Sequence, residues 1–243
     1  MTAVTKSDGT ALAEVARELN HATPQEILTW TFARFPRTVI VASFQAESSV
    51  LIDMASRLRP GVAVLTLDTG RLPQETHDVI DRVRERYDIE LEIVAPAADD
   101  VSAMTSRHGT NLFYASPELR QLCCDTRKSR PLARALERYD AWITGLRRDQ
   151  GATRAQTPIV QLDAAHGGIA KVAPLAGWTS DQVWGYITKA NAPTHKLYGR
   201  GYTSIGCAPC TRATQPGEDS RAGRWWWERD GVKECGLHWR SQS

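Results

Sequence analysis

Five cysteines are the residues of this 243-residue chain whose spacing points most directly to chemistry. Cys123 and Cys124 are adjacent, Cys207 and Cys210 flank Ala208-Pro209, and Cys235 stands alone near the carboxyl end. A Cys-x-x-Cys pair lets two thiolates converge on one metal, and a second pair completes four ligands. On spacing alone a zinc ion and an iron–sulfur cluster fit about equally well. The plain alternatives are a redox dithiol for Cys207 and Cys210, and two buried small apolar residues for Cys123 and Cys124. Adjacent ligands are awkward on a regular helix, where neighbouring side chains diverge by about a hundred degrees. The doublet must therefore sit at a helix end or in distorted backbone. Cys235 lies in Lys233-Glu234-Cys235-Gly236-Leu237-His238, where Lys233 and His238, with Arg221 and Arg224 upstream, favour its thiolate.

Other groups suit an anionic ligand. Ser43-Phe44-Gln45-Ala46-Glu47-Ser48-Ser49 joins a β-branched run to a helical one, and such a turn presents unpaired N–H groups and the positive helix end to a phosphate. Its plain reading is a polar helix cap. The segment resembles the phosphate-binding loop of the adenine nucleotide alpha-hydrolase-like group, with Ala46 standing where that loop often has glycine. Arg221 and Arg224 offer paired donors to phosphate or sulfate. Trp225-Trp226-Trp227 reads as packing that anchors the tail, and an exposed member could dock a partner.

The elements that must position these groups alternate. Runs at Thr38–Ser43, Val62–Leu67, Leu91–Val94, Ala141–Gly145 and Ile169–Ala173 read as strands. Glu47–Leu58, Pro73–Tyr87, Asp125–Arg138 and Ser180–Ala190 read as helices, with an earlier helix opened by Pro24. Apolar strands alternating with helices predict an α/β fold, a mainly parallel twisted sheet with helices on both faces. Ligands of such sheets bind beyond the carboxyl ends of the strands. Those ends read Ser43-Phe44-Gln45, Asp68-Thr69-Gly70 and Gly145-Leu146-Arg147-Arg148, a polar rim suited to an anion. From Gly199 onward periodicity fades, and Thr211 to Gly223 reads as a mobile connection. The expected organisation is an α/β domain over 1–210 and a mobile tail over 211–243.

Composition narrows the classes. With 42% hydrophobic and 24% charged residues the chain reads as globular, and a net charge of +2 implies no nucleic-acid field. No apolar run is long enough for a membrane span, and the first twenty residues lack a secretory pattern. A cytoplasmic location is expected, and an odd cysteine count there argues against a disulfide framework.

Six pieces, in this order, carry a resemblance: Leu67-Asp68-Thr69-Gly70, Cys123-Cys124-Asp125-Thr126-Arg127-Lys128, Thr144-Gly145-Leu146-Arg147-Arg148, Ile205-Gly206-Cys207-Ala208-Pro209-Cys210, Gly223-Arg224-Trp225 and Glu234-Cys235-Gly236-Leu237-His238. The chain resembles the assimilatory adenylylsulfate reductases of the phosphoadenylylsulfate reductase family, whose fold is of the adenine nucleotide alpha-hydrolase-like kind. The resemblance implies a [4Fe–4S] cluster on Cys123, Cys124, Cys207 and Cys210, and Cys235 as nucleophile. It also implies substrate contacts from Lys128, Arg221, Arg224 and His238. Ser43, Ser48, Ser49, Asp68, Gly70 and Arg147 are the further substrate candidates, drawn from the strand-end rim. The expected reaction is thioredoxin-dependent reduction of adenosine 5′-phosphosulfate to sulfite and AMP through an S-sulfocysteine, in sulfate assimilation; thioredoxin or a similar dithiol is the partner, and a homo-oligomer is compatible. The alternatives are a reductase of the 3′-phosphorylated substrate or of both, an adenylating enzyme with zinc on its cysteines, and a metal-stabilised redox sensor or binding module.

Overall fold

The computed structural model describes residues 9–228, so Cys235 and His238 lie outside the described residues. In chain order the elements are α1 (Gly9–Glu18), α2 (Pro24–Arg34), β1 (Thr38–Val41), α3 (Ala46–Leu58), β2 (Val62–Leu67), α4 (Gln74–Arg86), β3 (Ile89–Val94), α5 (Ala98–His108), α6 (Pro117–Cys124), α7 (Arg130–Leu136), β4 (Ala141–Ile143), β5 (Val160–Asp163), β6 (Ile169–Val172) and α8 (Ser180–Ala190). Helix starts follow their caps. Thr23 and Glu26 close a capping box on α2, Thr179 and Gln182 close one on α8, and Ser116 caps α6 ahead of Pro117.

The strands form a six-stranded sheet in the order β3-β2-β1-β4-β6-β5. β1 runs parallel to β2 and β4, and β4 runs parallel to β6. The parallel sheet expected from the apolar strands is thus present, with one antiparallel member. That member, β5, was not legible in the sequence: four residues, Val-Gln-Leu-Asp, pair antiparallel with β6 at the sheet edge. Val39, Ile40, Val64, Leu65, Ala141, Ile143 and Val172 are fully buried, as strands covered on both faces require.

The chain divides into two compact units. The first, residues 1–66, 78–92 and 136–194, carries most of the sheet with α1, α2, α3, α8 and most of α4. Asp53 is its polar node. The carboxylate is fully buried and accepts from Arg57 Nε (3.0 Å), Tyr87 Oη (3.1 Å) and Tyr186 Oη (2.6 Å). Burial alone would push this carboxyl up, but the bonds from Arg57, Tyr186 and Tyr87 outweigh it and hold it below its ordinary value.

The second unit, residues 67–77, 93–135 and 195–243, is built around Met104, Leu112, Phe113, Cys123, Cys207, Cys210 and Trp225. Three of these seven buried residues are cysteines, so the candidate ligands are part of the packing. Residues 211–228 make several backbone and side-chain ties. Thr211 bridges Arg224, Arg212 N–H donates to the Gly223 carbonyl (3.0 Å), and Thr214 N–H donates to the Gly201 carbonyl (2.9 Å). The buried pair Arg120–Glu228, 2.6 Å from Nε to Oε1, fixes the far end.

Candidate active site

Cys123 and Cys124 close α6, and the chain then opens into a π-turn over Asp125–Ser129 before α7 resumes. The helix expected over 125–138 is therefore a π-turn followed by the shorter α7, and the doublet lies where α6 meets that turn. Both conditions for adjacent ligands, a helix end and irregular backbone, are met. The second pair sits in a short 3-10 turn, Ala208–Cys210, whose first N–H donates to the Arg71 carbonyl at 2.8 Å.

The thiols are gathered in the second unit. Cys123, Cys207 and Cys210 are buried in one apolar cluster, and the charge of Cys124 is felt at Cys210. Thr69 Oγ lies 3.2 Å from Cys207 Sγ. Arg127 is almost wholly buried and donates from Nη1 to the Thr69 carbonyl at 2.7 Å. Arg224 packs its guanidinium against Gly206, where a Cβ would come within 2.6 Å of Cζ, so a side chain beside Cys207 must displace the guanidinium. Trp225 is buried between two guanidinium groups, with Arg120 at 4.6 Å and Arg224 at 4.8 Å from its ring centre. Its φ of 42° is in the left-handed region, a costly choice for tryptophan.

The electrostatics of the thiols diverge. Burial pushes Cys207 up, but Lys128, the Thr69 hydroxyl, Arg224 and Arg127 together bring it below its ordinary value. Burial, then the neighbouring Cys207 and Cys124, push the Cys210 thiol up to about 12. Burial also raises Cys123. No disulfide joins these four cysteines.

Among the described residues no three Cys, His, Asp or Glu side chains converge on a point that would hold a single metal ion. The donor set nevertheless fits an iron–sulfur cluster, where each thiolate binds a separate iron. Arg127 Nε, Arg224 Nε and Trp225 Nε1 are buried donors with no hydrogen-bond partner among the described residues. Buried donors normally find acceptors, and the sulfur atoms of such a group are acceptors of the right kind.

The remaining candidates fall into different roles. In the first unit Ser43 is exposed after β1, with its N–H accepted by Ser48 Oγ at 3.1 Å. The turn expected there is formed, with Phe44 at φ 55° and α3 starting at Ala46. Ser49 is fully buried and its hydroxyl donates to the Pro193 carbonyl at 2.6 Å. Arg147 is buried as well: Nε donates to Glu47 at 3.0 Å, and Nη1 to Asp149 and to the Trp178 carbonyl. Gly145 beside it is obligatory, since a Cβ would lie 2.6 Å from Glu47 Cβ. In the second unit Asp68 accepts from Gly70 N–H at 2.8 Å and faces His77 at 3.3 Å, and Gly70 is exposed at φ 67°. Lys128 and Arg221 are half-buried, and Arg224 lines the cysteine pocket. Sequence reasoning quoted Thr69, Arg127 and Gly206 within motifs but assigned them no role. Their types alone give no sign of a thiol neighbour.

Comparison with known proteins gives the family. Residues 37–213 match the phosphoadenosine phosphosulfate reductase domain, and the chain belongs to that family. It is 49% identical over 205 residues to the adenosine 5′-phosphosulfate reductase of Burkholderia cepacia, covering 84% of this chain and 82% of that one. It is 46% identical over 215 residues to the protein of the same name from Allochromatium vinosum, covering 88% and 84%. Among solved structures, a phosphoadenylyl-sulfate reductase from Candida auris in complex with phosphate superposes with a TM-score of 0.72 at 27% identity, over 83% of this chain and 96% of that one. The fold is shared more widely: an FMN adenylyltransferase from Candida glabrata superposes at 0.55 with 17% identity, over 84% of this chain and 65% of that one.

Proposed function

We propose that this chain reduces adenosine 5′-phosphosulfate to sulfite and AMP in sulfate assimilation, with a protein dithiol such as thioredoxin as electron donor. The observation that supports it most is the gathering of the four motif cysteines with Lys128, Arg127 and Arg224 in one mostly buried pocket. Relatives at 46–49% identity bear the name of that activity.

Cys123, Cys124, Cys207 and Cys210 would hold a [4Fe–4S] cluster, which supplies cross-linking and a fixed electrostatic environment for Lys128. Lys128 and Arg221 neutralise the phosphosulfate, whose charge otherwise repels an approaching thiolate. Arg224 contributes from the pocket wall. Asp68, Gly70 and His238 complete the substrate contacts, and Ser43 and Ser48 offer a hydroxyl-lined turn at the end of β1. The Cys235 thiolate attacks the sulfate sulfur, the sulfur–oxygen bond to the phosphate breaks, and AMP leaves. Cys235 then carries an S-sulfo group. One thiolate of the donor attacks Cys235 Sγ and sulfite departs with the bonding pair. The second thiol resolves the mixed disulfide, returning Cys235 reduced and the donor oxidised by two electrons. The chain beyond Glu228 is the carrier that brings Cys235 to substrate and then to donor, and the whole operates in the cytoplasm.

The test is anaerobic sulfite release with thioredoxin, comparing the substrate with and without a 3′-phosphate, for the wild type and Cys235→Ser. The wild type should prefer the unphosphorylated form. Cys235→Ser should lose turnover while keeping nucleotide binding and brown colour. Sulfite formation at the wild-type rate by Cys235→Ser would refute the mechanism, and a preference for the 3′-phosphorylated form would refute the substrate.

A further inference from the structure

Large apolar side chains exposed at a protein surface are informative when they cluster. Among the described residues the exposed large hydrophobic side chains are Leu58, Ile93, Tyr114, Trp184 and Trp226. Tyr114 and Trp226 share one patch. Tyr114 stacks edge-on against Trp227 at 4.5 Å, and Trp226 packs edge-on against Trp227 at 5.7 Å. Phe113, buried in the cysteine cluster, backs the patch at 4.6 Å from Tyr114 and 6.2 Å from Trp227. Tyr114 Oη donates to the Pro209 carbonyl inside the Cys-x-x-Cys turn at 3.0 Å. The rings are thus held in place yet 46% exposed at Tyr114 and 49% at Trp226. Fixed aromatic rings lose little entropy on burial, the property of an interaction hot spot.

We infer that Tyr114, Trp226 and Trp227 form the docking surface for the protein dithiol that reduces the Cys235 adduct. The inference rests on the proposed function and adds the surface through which its donor is held. The length of chain beyond the patch selects this occupant. Cys235 follows Trp227 by eight residues, a tether of at most about 28 Å fully extended. Any molecule that resolves the adduct must place its own sulfur in bonding contact with Cys235, and so must bind within that radius of Trp227. A small dithiol molecule needs no surface to do this. A dithiol protein does, because productive collision demands a fixed orientation, and an aromatic patch within reach of the reacting sulfur provides it.

The test is sulfite formation by iron-loaded Trp226→Ala and Trp226→Phe with two reductants, thioredoxin and dithiothreitol. Trp226 lies outside the substrate and cysteine machinery, so the dithiothreitol-supported rate should stay within about twofold of wild type. KM for thioredoxin should rise about tenfold in Trp226→Ala, the loss of one hot-spot side chain, and recover largely in Trp226→Phe. Tyr114→Phe, which keeps the ring, should behave as wild type toward thioredoxin. An unchanged thioredoxin KM in Trp226→Ala, or equal losses with both reductants, overturns the docking surface while leaving the proposed function standing. A shift of Trp226→Ala to a smaller species in sedimentation assigns the patch to a second copy and also overturns it. No sulfite from the wild type with either reductant overturns the function and the surface together.

Discussion

Gly206 shows how closely single positions are constrained around the cysteines. Its absent side chain leaves the space that the Arg224 guanidinium fills, and its N–H donates to Thr211 Oγ at 3.1 Å. Arg224 in turn bears on both Cys207 and Cys210. Gly206→Ala should displace Arg224 without adding or removing charge. The expected result is a protein that folds but binds iron poorly, read as iron per chain and visible absorbance after anaerobic reconstitution, and destabilised by about 1–3 kcal/mol from overpacking. Full iron content in this variant would show that Arg224 is not needed to hold the pocket. The contrast with Arg147 is instructive. Both are buried arginines in quoted motifs, yet Arg147 is committed to Glu47 and Asp149 whereas Arg224 Nε has no partner among the described residues. Residue type could not separate them.

Among the elements, α3 depends on a polar contact that hydrophobic periodicity would not reveal. Asp53 lies on its buried side and receives hydroxyls from Tyr87, just after α4, and from Tyr186 on α8. Because its folded-state carboxyl is held below the ordinary value, its contribution is present above the unfolded-state value and is lost as pH falls through the folded one. The urea midpoint should therefore decline on the acid side, and Asp53→Asn should flatten that limb. At neutral pH the substitution should cost about 1–3 kcal/mol, because three donors lose their charged acceptor. An unchanged acid limb in Asp53→Asn would place the pH dependence elsewhere. The junction of α6 and α7 makes the opposite point. There the need for irregular backbone was read directly from two adjacent cysteines, since helix geometry forbids both from facing one ligand.

For the whole molecule, the division into two compact units has a consequence for stability. The core of the second unit contains Cys123, Cys207 and Cys210 with few large aliphatic residues, while the first buries β4 and nearly all of β1 and β6. A group bound by the cysteines would therefore contribute folding energy to the second unit. Removing iron anaerobically should lower hydrogen-exchange protection in residues 67–77, 93–135 and 195–228, and leave β1, β4 and β6 protected. Uniform loss of protection would mean that the units do not open separately. Equal protection with and without iron would mean that the cysteines are not its ligands.

The strand–helix alternation, the mainly parallel sheet and the family were legible in the sequence itself. Apolar strands buried on both faces have a periodicity of their own, and the cysteine motifs are too specific in order and spacing to be met by chance. β5 was not legible, because a four-residue edge strand has too little apolar pattern to stand out. The sequence also could not distinguish Ser49 and Arg147, which pack, from Ser43, which is exposed, nor bring Thr69 beside Cys207 across 138 positions of chain. Those outcomes depend on which donors and acceptors meet once the chain is folded. A hydroxyl or guanidinium carries the same potential to bind an anion or a neighbouring carbonyl, and only the tertiary arrangement decides which of the two it meets first.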